Sequence, residues 1–265
     1  MGLKYKSSIA AFFLTSSLIA AETEDQGMEC AVLNGPDFFM DMQYLASNSE
    51  RCVGHCGSAN ARVGDEVAIR ILANHLTHDQ RDRVKDSVIW ALSLIGQEIG
   101  SARSISLLDS VDGEYQSKII IFPITDKLDR VLVKQGLPGL SAMEYVFPHR
   151  AVLIDGGCSA RSFVTGTEDE EVISLAYVFA SSQSLEDQHD LDLCILEEVT
   201  QVFGLFGDPP GSASLFDSGN IDLSEMRPRH SPKTNAMLKY LYSGKTMDEA
   251  SFQKYKDQVC KIDKY

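Results

Sequence analysis

Glu197, Glu198 and Gln201 bring three oxygen-bearing side chains together inside the otherwise apolar run Cys194-Ile195-Leu196-Glu197-Glu198-Val199-Thr200-Gln201-Val202-Phe203-Gly204-Leu205. On a helix turning about 100° per residue, Ile195, Val199, Val202, Phe203 and Phe206 gather on one side, while Glu197, Gln201 and Gly204 share the other with Cys194 near them. Side chains four apart converge on one ion or one ligand, so Glu197 and Gln201 offer a carboxylate and an amide to a common point. Oxygen donors of this kind suit calcium, magnesium or manganese better than zinc, which favours nitrogen and sulfur.

The elements that must position these residues are legible in outline. Val67 to Leu72 alternates like a strand, and Thr77 with Gln80 forms a capping box that opens a long helix. Val84, Val88, Ala91, Leu92, Ile95 and Ile99 lie on one face of it, and Gly100 supplies the stop. Arg103 to Leu108, Lys118 to Phe122 ending at Pro123, and Ala151 to Ile154 read as short strands with turn chemistry between them. Val172 to Ala180 is apolar enough for another strand or a buried helix. The helix carrying Glu197 is expected from about Asp190 to Phe206, with Asp187, Asp190 and Asp192 suiting the positive end of its dipole. Strand, helix, several strands, helix and a helical C-terminal region make an α+β domain with a mixed sheet and two long helices.

Glu197-Glu198-Val199-Thr200-Gln201 followed by Gly204 resembles H-E-x-x-H-x-x-G, the zinc-protease helix motif, with both histidines replaced. His230-Ser231-Pro232-Lys233-Thr234-Asn235, leading to Leu238-Lys239-Tyr240-Leu241-Tyr242, is similar to the metzincin segment in which a Ser-Pro start enters a helix ending in Leu-Tyr. More closely, E-E-[LV]-T-Q followed by Gly-Leu and an Asp resembles an uncharacterised family of exported bacterial zincin-like proteins. The resemblance covers roughly residues 62–244, and it implies a metzincin-like core. It places Glu198 at the general-base position and Glu197 and Gln201 at the first two metal-ligand positions. The third position falls on Gly207, which has no ligating side chain, with Asp208 next to it. None of the six histidines, at 55, 75, 78, 149, 189 and 230, forms an i, i+4 pair to replace the lost ligands.

Lys4 and Lys6 followed by an apolar run from Ile9 to Ala21 and then Glu22 have the grammar of a signal peptide over residues 1–21, with a periplasmic or secreted product. Beyond that leader no apolar run reaches the roughly 18 residues of a membrane span. The chain carries 24 Lys and Arg against 38 Asp and Glu, for a formal net charge of −14, which repels phosphate backbones and argues against nucleic acid as a partner. Export lets the six cysteines, Cys30, Cys52, Cys56, Cys158, Cys194 and Cys260, pair as disulfides. Fifteen pairings are allowed; a Cys158–Cys194 bridge would pin the Glu197 helix to the strand ending at Gly157. Cys52-Val-Gly-His-Cys56 also offers a lone metal or redox motif.

Residues 22–61 read as an irregular, disulfide-tied N-terminal extension, 62–245 as the metzincin-like domain, and 246–265 as a C-terminal helical tail. Glu168 to Glu171 form an acidic run suited to solvent or calcium. Arg227, Arg229 and His230 form a basic spot that contacts an acidic substrate or pairs with Asp222 and Glu225. No serine-hydrolase elbow, Walker loop or dinucleotide fingerprint is present. The functional expectation is an exported pseudo-peptidase that holds a peptide or protein partner in the former active-site cleft, with no cofactor or with an oxygen-ligated divalent metal. Two alternatives stand beside it, an atypical hydrolase using Glu198 as base and a structural envelope protein.

Overall fold

The computed structural model describes residues 27–47, 52–54, 61–100, 103–108, 114–125, 158–167, 170–206 and 227–261. The expected leader, the strand at 151–154, the loop residues Gly207 and Asp208, the pair Asp222 and Glu225, and Cys56 lie outside these residues. Among the described residues no helix is long and apolar enough to cross a membrane.

The chain is α+β. In order it forms α1 (Phe38–Ser47), β1 (Cys52–Gly54), β2 (Glu66–Ile71), α2 (His78–Ile99), β3 (Ser104–Leu107), β4 (Ser117–Pro123), β5 (Ser159–Thr167), β6 (Glu170–Ala180), α3 (Gln188–Val202), α4 (Pro232–Leu241) and α5 (Glu249–Val259). The strands join one mixed sheet in the order β1-β5-β6-β4-β2-β3. β3, β2, β4 and β6 run parallel, β5 is antiparallel to β6, and β1 lies parallel to β5. β2, α2 and β3 make a βαβ unit, because a parallel pair needs a crossover and a helix supplies it. In the middle of the sheet, Ile119, Ile121 and Phe122 of β4 expose no surface, as expected for a strand covered on both faces.

Pairing on both sides decides the ambiguous segment at 172–180. β6 takes Lys118 to Pro123 of β4 along one edge and Ser159 to Thr167 of β5 along the other, so its backbone groups are satisfied only as a strand. The capping box forms as the sequence indicates, with Gln80 N–H donating to Thr77 Oγ1 and Gln80 reaching back to the Thr77 backbone. Gly100 ends α2 at a φ of 80°. Val84, Val88, Ala91, Ile95 and Ile99 are buried on one face, and that face packs on α3.

The N-terminal extension departs from expectation. Its described parts are regular rather than irregular, helical at residues 27–33 and in α1 and extended in β1. Phe38, Met42, Leu45 and Ala46 recur at helical spacing and are all buried, and Phe38, Met42 and Leu45 join the same core as the sheet. Phe38 and Phe39 stack on Phe252 of α5, and a Cys30–Cys260 disulfide ties the extension to the C-terminal helix. Asn34 Nδ2 donates to Cys30 O at 2.9 Å and lies against both sulfurs.

Candidate functional site

α3 follows β6 and packs against α2, β5 and β6, which makes it a helix buried nearly all round. It starts because Asp187 caps it, accepting from His189 N–H at 2.8 Å and Asp190 N–H at 3.1 Å. It stops because Gly204 turns the chain at a φ of 107°. A Cβ at Gly204 would lie 2.7 Å from the Ala61 carbonyl oxygen and 2.7 Å from Leu241 Cδ2, so both the backbone angle and the close approach require glycine. This is the glycine of the motif.

Cys194 is bonded to Cys158, which directly precedes β5. That bridge, one of the candidates from sequence, sets the Cys194 side of α3 against the start of β5. Cys30 pairs with Cys260; Cys52 enters the sheet at the start of β1.

Glu198 and Gln201 are 2% and 1% exposed, and Glu197 is half-buried. Glu198 and Gln201 are therefore enclosed by protein while Glu197 keeps contact with solvent, and each of the three residues has an interacting partner. Thr200, between Glu198 and Gln201, has a clear task. Its hydroxyl donates to Leu196 O at 2.6 Å, which uses its one proton, and so the 2.7 Å contact with His230 requires the imidazole Nε2–H to donate. Burial pushes His230 down to about 4, against the Asn235 side chain, which favours the proton. His230 is thus a neutral clamp between α3 and the start of α4. It is not part of a basic spot.

Arg227 pairs with acids of α2 and α3. Its guanidinium grips Asp192 of α3 with two bonds, Nε to Oδ2 at 2.8 Å and Nη2 to Oδ1 at 2.9 Å, and reaches Asp86 of α2 at 2.8 Å. Ser87 Oγ donates to Asp192 at 2.6 Å and Gln188 Nε2 at 2.9 Å. The Arg227 guanidinium stacks 4.9 Å above Trp90, whose Nε1–H donates to Pro228 O at 3.1 Å. Burial pushes the Asp192 carboxyl up, but the bonds from Arg227, Ser87 and Gln188 and the Arg227 charge outweigh it and hold it below the usual carboxylate value. Asp192 also suits the positive end of the helix dipole. The stronger signal was its wheel position, which puts Asp192 and Gln188 on the same side as Ile195 and Val199, where an acid must be buried and paired.

The C-terminal end of α3 is closed by Tyr242, whose hydroxyl donates to Phe203 O at 2.8 Å and accepts from Val63 N–H at 3.2 Å. Ser231 caps α4 and Pro232 opens it, the local structure expected of the Ser-Pro segment.

Zinc, the metal implied by the motif resemblance, does not fit the donors in place. Glu197 and Gln201 contribute a carboxylate and a neutral amide, and the His230 Nε2 is committed to Thr200. Among the described residues no three His, Cys, Asp or Glu side chains form a metal-holding group. Glu171 of the acidic run is buried at the start of β6. Compared with protein-family models, curated proteins and solved structures, the chain finds no match.

Proposed function

We propose that this chain is an exported, zincin-like pseudo-peptidase, which holds a peptide or protein partner beside the Glu197–Gln201 side of α3 without cutting it. One observation carries the reading. The motif helix is buried, capped and fastened at both ends, as a catalytic helix has to be, while its ligand positions carry a carboxylate and an amide in place of imidazoles. The order β2, α2, β3, β4, β5, β6, α3, α4 supports it, because the resemblance implies a strand, a long helix, strands and a late second helix.

The test is to purify the protein without chelator, measure its metal content, and offer it fluorescein-labelled casein. The expected outcome is less than stoichiometric zinc, retention of casein by fluorescence anisotropy, no release of acid-soluble fragments, and weaker retention by Glu197→Gln. Stoichiometric zinc overturns the reading in favour of an ordinary peptidase.

A second reading rests on Glu198, a carboxylate 2% exposed at the general-base position. It makes the chain an atypical hydrolase, and fragment release that disappears in Glu198→Gln would select it.

A further inference from the structure

Away from α3, a cleft of about 400 Å³ opens between the leading ends of β2, β4 and β6 and the turn after α4. No α3 residue lines it. Among the described residues three cations, Arg62, Arg103 and Lys245, meet two anions, Asp65 and Glu171, around its wall, which leaves one positive charge in excess within a chain of net charge −14. Such a local reversal of sign focuses an anionic ligand against the field of the rest of the molecule.

Among the described residues the arginines are held but not satisfied. The Arg103 side chain is 11% exposed and lies 4.4 Å above the Tyr242 ring, so its plane is fixed by stacking. Its nearest carboxylate among the described residues is Asp65 at 3.7 Å, and its Nε is buried without a hydrogen-bond acceptor. Among the described residues, Arg62 spends Nη1 on the Leu241 carbonyl at 3.3 Å, a single side-chain bond for a group with five donors. Lys245 is exposed beside Gly244, where a φ of 75° turns the chain, and it has no partner among the described residues.

We propose that this cleft binds a small monoanionic carboxylate, the free C-terminal carboxylate of a short peptide. A planar carboxylate takes two parallel bonds from a fixed guanidinium, and one negative charge balances the one excess positive charge. A dianionic phosphate would be repelled by Asp65 and Glu171. The volume falls in the range of small-molecule pockets. The proposal does not rest on the pseudo-peptidase reading.

The experiment is a titration of the ¹⁵N-labelled protein with N-acetyl-Ala-Ala, with its C-terminal amide, and with inorganic phosphate, following the Gly64 and Gly244 amide signals. The expected result is saturable shifts with the acid, at least about tenfold weaker binding of the amide and of phosphate, and about tenfold weaker acid binding in Lys245→Gln and in Arg62→Gln. Lys245 is exposed, so its variant should melt at the parent temperature and keeps the test independent of folding. Equal binding of acid and amide, phosphate binding as tight as the acid, no shift up to about 10 mM acid, or unchanged affinity in Lys245→Gln would each overturn the proposal.

Discussion

At its N-terminal end α3 is fastened by charge, through Asp192 gripped by Arg227, with Ser87 and Gln188 completing the carboxylate. At its C-terminal end it is fastened by neutral groups, through Thr200 with His230, Tyr242 with Phe203 and Val63, and the glycine turn against Ala61. Acid therefore acts on the two ends differently. The neutral clamp works only while His230 lacks its second proton, and the charged clamp works only while Asp192 is ionised. The motif of Glu197, Glu198 and Gln201 lies between two fasteners that fail in separate pH windows.

The largest expected effect is at the neutral end. His230 has a folded value of about 4 against 6.5 unfolded, so the unfolded chain binds the extra proton between those values. Its stabilising share is full above pH 6.5 and is lost as pH falls through about 4, a change on the order of 3 kcal/mol. Urea midpoints at pH 7 and 4.5 measure it, and His230→Gln should flatten that stretch; an unchanged slope in the variant would contradict the assignment.

Next comes the charged end. Asp192→Asn keeps the shape and removes the charge, and a cost of about 2–3 kcal/mol is expected, because Arg227 is about a third exposed and water relieves part of the loss. The parent should also lose stability as pH drops below the ordinary carboxylate value of 3.8, through the lowered Asp192 value, and the variant should not. Identical acid limbs for the two proteins would remove the charged clamp from the comparison.

Gly204→Ala strains the positive φ and drives a methyl against the Ala61 carbonyl, for about 2 kcal/mol, with little change in pH dependence. Tyr242→Phe leaves the Phe203 carbonyl and the Val63 amide unpaired at a cost of about 1–2 kcal/mol. Thermal unfolding reads both. If either variant steepened the acid response, the C-terminal end would hold a titrating group besides His230.

The parts of this fold that were legible in the sequence are those set by local chemistry. The capping box at Thr77, the stop at Gly100, the alternation from Val67 and the buried stripe of α2 depend on residues within one or two turns of each other. In the extension the Gly, Asn and Ser residues dilute the helical spacing of the buried Phe38, Met42 and Leu45. At the candidate site, sequence indicated the motif helix, its glycine and the Cys158–Cys194 bridge. It did not show that Glu198 and Gln201 are enclosed, because their cover comes from elements far away in the chain. Asp192 and Arg227 are 35 residues apart, and Thr200 and His230 are 30 apart, so their pairing belongs to tertiary structure. The nearest local sign was an acid on an apolar stripe.

The Cys30–Cys260 bond joins residues 230 positions apart, which turns almost the whole described chain into one covalent ring. A pull applied from outside at the two flanks of that bond runs through sulfur and bypasses the sheet, so the domain between bears no load. A single cut in a loop inside the ring opens it without releasing a fragment, and the pieces part only when the disulfide is reduced, or both disulfides where the cut falls between Cys158 and Cys194.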